Sequence, residues 1–144
     1  MVSATPQPVE DAVAAVRDVD AVGVPLGPGV PAGFVHALAT RYWVDLEISG
    51  ALLTDFFEVF SKPNVRYLSG FYGPLERLLV DSGADVQFVP SDFRRFAPIL
   101  EKRKPRVMAT VCAPPDADGW CSLSLHAGAT VAELHRAGAD PDRV

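Results

Sequence analysis

Val107 to His126, VMATVCAPPDADGWCSLSLH, is the stretch from which the rest of the chain is read. Val107, Met108, Ala109, Val111 and Cys112 form a short apolar run, the pattern of a buried strand. The run stops at Ala113-Pro114-Pro115, because proline cannot donate to a ladder and holds the residue before it extended. Asp116-Ala117-Asp118-Gly119 has the composition of a turn: aspartate bonds to nearby backbone and glycine permits positive φ. Trp120-Cys121-Ser122-Leu123 follows as a second short extended piece. A loop rich in Pro, Asp and Gly therefore stands outside the carboxyl end of a buried strand, where ligands bind in open α/β sheets.

Working upstream, the same alternation repeats. Val9 to Val19 places Val9, Ala12, Val13 and Val16 on one helical face, and Ala21 to Leu26 reads as a strand. Gly27-Pro28-Gly29 turns the chain, and Pro31 suits the first turn of a helix whose face carries Phe34, Val35, Leu38 and Tyr42. Val44 to Ser49 is the next strand. Residues 50–62, with Leu52, Leu53, Phe56, Phe57, Val59 and Phe60, are too apolar for a free loop and read as a short helix or an irregular packed segment. Val65 to Leu68 is a strand, and Pro74 opens a helix with Leu75, Leu78 and Leu79 inward that Gly83 ends. Val86 to Val89 is a strand. Ser91 is positioned to cap a helix burying Phe93, Phe96 and Leu100, with Pro98 as a kink or early stop. Downstream, Ala129 to Ala137 is a last helix, with Val131 and Leu134 inward and Gly138 as its stop. Strands that are continuously apolar, alternating with helices, require a parallel sheet covered on both faces. The predicted class is α/β, an open, mostly parallel sheet with helices on both faces and right-handed crossovers.

Composition sets outer limits. The 144 residues suffice for one domain with a real core, and 49% hydrophobic with 22% charged residues is ordinary for a globular protein. A net charge of −5 argues against a broad nucleic-acid or anionic-membrane surface. The basic cluster Lys102-Arg103-Lys104 reads as a solvated helix end. The two cysteines, Cys112 and Cys121, can pair only if the loop folds back tightly; reduced thiols in a cytoplasmic protein fit the count better. No signal-peptide pattern and no apolar run of membrane-spanning length is present. Residues 1–19 read as a lead-in and helix, and 20–144 as the α/β domain. Asp140-Pro141-Asp142-Arg143-Val144 reads as a connection into another strand, so the domain is expected to be truncated before a further one.

Several constellations carry candidate chemistry. Gly27-Pro28-Gly29-Val30-Pro31-Ala32 fits G-x-G-x-x-A, and Glu47 lies about twenty residues on, the dinucleotide-binding layout. Two prolines inside the motif each remove an amide that would face a pyrophosphate. A tight turn without a ligand also fits, as does a loop whose remaining amides hold a carboxylate, a thioester oxygen or a phosphate. Asp116 and Asp118 fail as a calcium loop, with Cys121 where glycine is required and Ala127 where the bidentate glutamate is required; they read as turn formers. Cys112, Cys121, His126 and His135 lack zinc-ligand spacing, so no metal is expected. A Cys121–His126 nucleophile pair stays open. His36 reads as a surface or core-edge residue, and Ser122 and Ser124 lie outside any G-x-S-x-G context.

Four segments, in order, also resemble a known family. Asn64 to Pro74, NVRYLSGFYGP, resembles an "FR..S.F.G" strand and loop; Gly83 to Pro90 resembles "G-x-A-D-Y-V-P"; Ser91 to Leu100 is similar to "LSEIPxL"; and PPDADGWCSLSL resembles PPD-x-x-G-[YF]-x-S-L-G. These are signatures of the acetyl-CoA hydrolase / acetate and 4-hydroxybutyrate CoA-transferase family, and the resemblance runs from about Asp20 to Val144. It implies a CoA-transferase-like fold and transfer of CoA between an acyl-CoA thioester and a small carboxylate, or hydrolysis of the thioester. A glutamate attacks the acyl-CoA, giving an acyl-glutamyl anhydride and then a glutamyl-CoA thioester. In the family that glutamate and the main CoA-binding loop belong to the C-terminal half. None of Glu47, Glu58, Glu76, Glu101 or Glu133 sits in its motif, so the resemblance assigns no nucleophile to this chain. Ser124 stands where the family has the glycine of S-L-G.

What the resemblance carries over is a substrate-binding contribution from Gly27, Gly29, Pro115, Asp116 and Gly119, lining an acyl or carboxylate pocket between two halves. Coenzyme A enters as a substrate, with no permanently bound cofactor. The implied partner is a C-terminal CoA-transferase domain or subunit in a homo- or hetero-oligomer, docked on an apolar face that includes Phe56, Phe57 and Phe60. Two readings from other classes accompany it: a non-catalytic interaction module pairing with a catalytic partner, and a nucleotide-binding oxidoreductase domain resting on the Gly27 loop.

Overall fold

The computed structural model describes residues 6–123 and 130–144. The expectations for Ser124, His126, Ala127 and Ala129 lie outside these residues. The elements run α1 (Val9–Ala14), β1 (Val19–Leu26), a 3-10 turn (Gly27–Gly29), α2 (Ala32–Ala37), a 3-10 turn (Leu38–Thr40), β2 (Asp45–Ala51), a 3-10 turn (Glu58–Ser61), β3 (Val65–Ser69), α3 (Pro74–Asp81), β4 (Asp85–Phe88), α4 (Phe93–Arg103), β5 (Val107–Met108) and α5 (Thr130–Ala139). The five strands form one sheet in the order β4-β3-β2-β1-β5, and every pairing is parallel. The fold is α/β, as the alternation of apolar strands and helices requires. Among the described residues no helix is long and apolar enough to cross a membrane.

The chain steps outward from β1 through β2 and β3 to β4, then returns across the sheet through α4 to place β5 on the other side of β1. With right-handed crossovers, α2 and α3 lie on one face and α4 on the other. Two separate apolar clusters follow that division. One gathers Val13 and Val16 with Phe34, Val35 and Leu38 of α2, Leu79 of α3, Val22, Val24, Leu46, Ile48, Val65 and Tyr67 of the sheet, and Phe57 and Phe60. The other is smaller: Leu26, Ala51, Phe96 and Leu100, with Leu52 against it. Between α4 and the sheet, Glu47 of β2 accepts from Arg66 of β3 at 3.3 Å and from Arg103 of α4 at 2.9 Å.

Several expectations need correction. The strand expected over Val107–Cys112 is two residues long, and Val111 and Cys112 are exposed. The reason lies in its neighbour: Pro25 of β1 has no N–H to give, and the register against β2 shifts between Gly23 and Leu26. Pairing with β5 ends at Gly23↔Met108, and Ala109 and Val111 bond instead to Gly23 and Gly29 carbonyls at 3.0 and 3.1 Å. Tyr42 is 86% exposed rather than inward; the buried aromatic is Trp43, whose indole N–H donates to Leu38 O at 2.9 Å. The helix ends at Ala37 and tightens into a 3-10 turn, which takes later positions out of helical phase. Leu78 is exposed on α3, leaving Leu79 as its buried anchor.

Phe57 and Phe60 belong to the main core, and of the three aromatics assigned to a docking face Phe56 alone is exposed. The cap of α4 is Asp92, not Ser91: its Oδ1 accepts from Arg94 N and Arg95 N at 2.9 Å. α4 runs through Pro98 to Arg103, and α5 runs through Gly138 to Ala139. Its buried side is Thr130, Glu133 and Ala137, with Val131 and Leu134 half-buried. Glu133 accepts from Arg136 at 2.9 Å and Arg143 at 2.6 Å. Val144 pairs with the outer edge of β5, donating to Arg106 O at 2.9 Å and accepting from Met108 N at 2.8 Å.

Candidate functional site

All five strands point their carboxyl ends to one edge, and a cleft of about 90 Å³ opens there. Its walls are Leu26 and Ala51, the last residues of β1 and β2; Leu52; Gly70 and Phe71, just past β3; and Ser91, Asp92 and Phe96 at the start of α4. The lining is apolar apart from Ser91 and Asp92, and the Asp92 carboxylate is already engaged in capping α4. Gly70 is the narrow point: a Cβ there would stand 3.0 Å from Ser91 Oγ and 3.1 Å from the Phe96 ring. A small apolar pocket with one hydroxyl at a parallel sheet's carboxyl edge suits a short acyl chain better than a charged group.

The sequence-predicted residues lie on the same edge but do not line this cleft. Gly27 adopts φ +49°, a conformation that favours glycine, and Val30 N closes the turn on Gly27 O at 3.0 Å. Gly29 O accepts from Val111 N at 3.1 Å, so the turn after β1 is joined to the segment after β5. β1 and β5 are the strands between which the chain's direction of travel reverses, the topological switch point. Pro115, Asp116 and Gly119 are exposed at the far end of that second segment, which folds back as a hairpin. Ala113 N donates to Ser122 O at 2.7 Å and Asp116 N to Trp120 O at 3.0 Å. Asp116 Oδ1 accepts from Asp118 N at 3.0 Å and Trp120 N at 2.9 Å, and Gly119 has φ +85°. Asp116 thus forms the turn that its sequence context predicts. The structure joins Gly29 to the base of this hairpin; the bonds of Asp116 and Gly119 stay within it.

The dinucleotide layout does not assemble. Glu47 is the third residue of β2, not its end, and its carboxylate is held by Arg66 and Arg103 rather than presented at the carboxyl edge. The helix after the glycine turn has six residues and Pro31 at its N-cap. His36 is a surface residue, as expected, 3.0 Å from the Asp55 carboxylate and with its ring 4.8 Å from that of Phe57. Among the described residues no group of His, Cys, Asp and Glu is arranged to hold a metal ion.

The buried group that sequence reasoning missed is Glu76, which is 1% exposed on the first turn of α3. One carboxylate oxygen accepts from Leu53 N at 3.2 Å and Ser69 Oγ at 3.3 Å, the other from Gly73 N at 3.0 Å. It ties the exit of β2 to the exit of β3, the two segments carrying Leu52, Gly70 and Phe71. Beside it Tyr67 is buried, and its hydroxyl has no hydrogen-bond partner among the described residues. Burial pushes that hydroxyl far above the usual phenol range; Ser69 nearby pulls it back and the Glu76 charge adds to the rise. The glutamate three residues after Gly73 was the available signal, one half of a capping box.

No family model matches the chain. It is 32% identical over 139 residues to a succinyl-CoA:cyclohexane-1-carboxylate CoA transferase of Geobacter metallireducens. That alignment takes in 90% of this chain and 30% of the relative, so the chain spans less than a third of that protein's length. The similarity supports a CoA-transferase family for the chain. The motif resemblance is narrower, naming the acetyl-CoA hydrolase and acetate branch, and the comparison reaches the broader level.

Proposed function

We propose that the chain forms part of an enzyme that moves CoA between an acyl-CoA thioester and a small carboxylate, or to water. The similarity over 139 residues to a CoA transferase is the observation that carries this reading. A glutamate nucleophile would split one difficult acyl transfer into two easier ones through an anhydride and a glutamyl thioester. That glutamate is assigned to a C-terminal CoA-transferase half, on the same polypeptide or a partner subunit. The state of five of this chain's six glutamates agrees with the assignment: Glu47 is paired to two arginines, Glu58 to Lys62, Glu101 to Arg136, Glu133 to Arg136 and Arg143, and Glu76 is buried on its donors; the sixth, Glu10, is exposed on the first turn of α1. The contribution of this chain is the acyl side of the site. The cleft at Leu26, Leu52, Gly70 and Phe96 receives the acyl chain, and the Gly27–Gly29 turn and the Pro115–Gly119 hairpin border the carboxylate.

The test is CoA transfer from acetyl-CoA and succinyl-CoA to a panel of carboxylates, with hydrolysis to free CoA followed in parallel. It is run on this chain alone and with a C-terminal CoA-transferase half supplied. Activity only with the added half is expected. Activity from the 144 residues alone would overturn the placement of the glutamate, and silence in both would overturn the transfer reading. Gly70→Ala narrows the cleft against Ser91 and Phe96. It is expected to raise KM for longer acyl chains about tenfold more than for acetyl, the size of effect one or two methylenes produce in an apolar pocket.

A further inference from the structure

The hairpin after β5 carries both cysteines of the chain, one on each arm. Its arms are joined by the Ala113–Ser122 and Asp116–Trp120 bonds, and the turn is closed by Gly119 N donating to Asp116 O at 3.0 Å. The first of these bonds sets Ala113 and Ser122 across from each other, and one extra residue on the first arm, at Pro114-Pro115, separates that pairing from Asp116–Trp120. Cys112 is one residue towards the base on the first arm, and Cys121 one residue towards the tip on the second. Side chains alternate along extended arms, so both thiols leave the same side of the hairpin as diagonal neighbours. Both cysteines are exposed. Their proximity shows in their electrostatics: partial burial, and then the Cys121 thiol beside it, push the Cys112 thiol up. The tip holds no packed side chain that would resist a small shift of the arms, since residues 114–122 are all exposed.

We propose that Cys112 and Cys121 are a reversible dithiol–disulfide pair that staples this hairpin. The oxidant is a low-molecular-weight disulfide, RS–SR. One cysteine loses its proton to solvent and its thiolate attacks a sulfur of RS–SR; a mixed disulfide forms, and RS⁻ leaves and takes up a proton. The second cysteine, deprotonated in turn, attacks the protein-side sulfur and expels the other RSH. Two protein thiols are oxidised and one small disulfide is reduced to two thiols. The base of the hairpin is bonded to the turn after β1 through Val111 and Gly29, so the staple closes beside the switch point of the sheet. The pairing itself is independent of any activity assigned to the chain.

The full 144-residue chain is equilibrated at graded ratios of reduced to oxidised glutathione, quenched with acid, alkylated and weighed. The expected result is one transition from two alkylated thiols to none, with loss of two hydrogen masses, no glutathione adduct and no cross-linked dimer. Cys112→Ser and Cys121→Ser each stop at a mixed glutathione adduct, and both keep the wild-type far-ultraviolet circular dichroism because the substituted groups are exposed. The proposal is overturned if the wild-type chain also stops at glutathione adducts. It is equally overturned if both thiols stay free at every ratio, or if the disulfide forms between two chains.

Discussion

On the face covered by α1, α2 and α3, Phe60 stacks on Tyr67 at 4.3 Å and meets Phe57 edge-on at 5.9 Å, all three at most 1% exposed. On the opposite face α4 brings Phe96 and Leu100 down onto Leu26 and Ala51, and beyond them the sheet carries the Glu47–Arg66–Arg103 ion pairs and an open cleft. The first face is packed as an interior is packed, ring against ring and side chain against side chain. The second is thin, half ionic and incomplete at the carboxyl edge. Stability and opening are therefore assigned to different sides of one sheet, and a substitution can disturb one while sparing the other.

The sharpest way to break that contrast is to truncate one aromatic on each face. Phe60→Ala removes a fully enclosed ring and is expected to cost about 4 kcal/mol in urea unfolding; Phe96→Ala, bordering an existing cleft, costs about 3 kcal/mol. A larger cost at Phe96 would reverse the comparison. Glu76 couples the two sides, since it bonds Leu53 and Gly73 beside the cleft from a position in the core. Glu76→Ala leaves the Leu53 and Gly73 amides without their acceptor, while the Ser69 hydroxyl keeps Phe71 O, and is expected to cost about 3 kcal/mol by the same measurement, with Glu76→Gln losing less.

Acid acts elsewhere. The Asp20 carboxylate is buried, and burial alone would raise its pKa. The Arg106 guanidinium at 2.5–3.1 Å and the Arg17 and Ala21 amides outweigh that and hold it below the usual carboxylate range. A depressed folded pKa gives stability that is present above the unfolded value, about 4, and is lost as pH falls through the folded one. The gap in urea midpoint between wild type and Asp20→Asn is therefore expected to stay constant from about pH 7 to 5 and to shrink below about pH 4. The smallest effect belongs to Phe56→Ser, which leaves an exposed site and should shift stability by less than about 0.5 kcal/mol. A loss of core-like size there would mean that Phe56 is covered in solution.

The strands were legible as short runs bearing apolar residues between turn residues, and β1 to β4 fall where those runs lie; continuous apolarity was not their rule, since β2 (DLEISGA) and β4 (DVQF) alternate with polar residues and β4, at the sheet's edge, is largely exposed. Phases were less legible. Phe56, Phe57 and Phe60 lie between β2 and β3, where no helical or strand period extends, so composition announces burial without saying which ring is buried. Tyr42 and Trp43 exchange roles because a 3-10 turn intervenes between them and the helix whose period was extrapolated. Glu76 was legible only as a first-turn glutamate; one of its partners, Leu53, comes from 23 residues upstream, a relation no local pattern encodes. The candidate site was legible as an edge, through the Pro-Asp-Gly loop after the last strand and the glycine turn after the first. Its lining was not, because Leu26, Leu52, Gly70 and Ser91 come singly from four strand exits and share no spacing.

The placement of β1 has a consequence for how the molecule comes together. One side of β1 meets β2, its neighbour in the chain; the other meets β5, with Val22 opposite Val107, and the Arg106–Asp20 pair spans 86 positions at the same seam. During synthesis β1 to β4 emerge before that second side has a partner. Until Val107 and Met108 arrive, β1, an interior strand of the finished sheet, is a raw edge, the kind of surface on which chains mispair. Contacts so distant along the chain close slowly, and the seam they close is the one beside the candidate site.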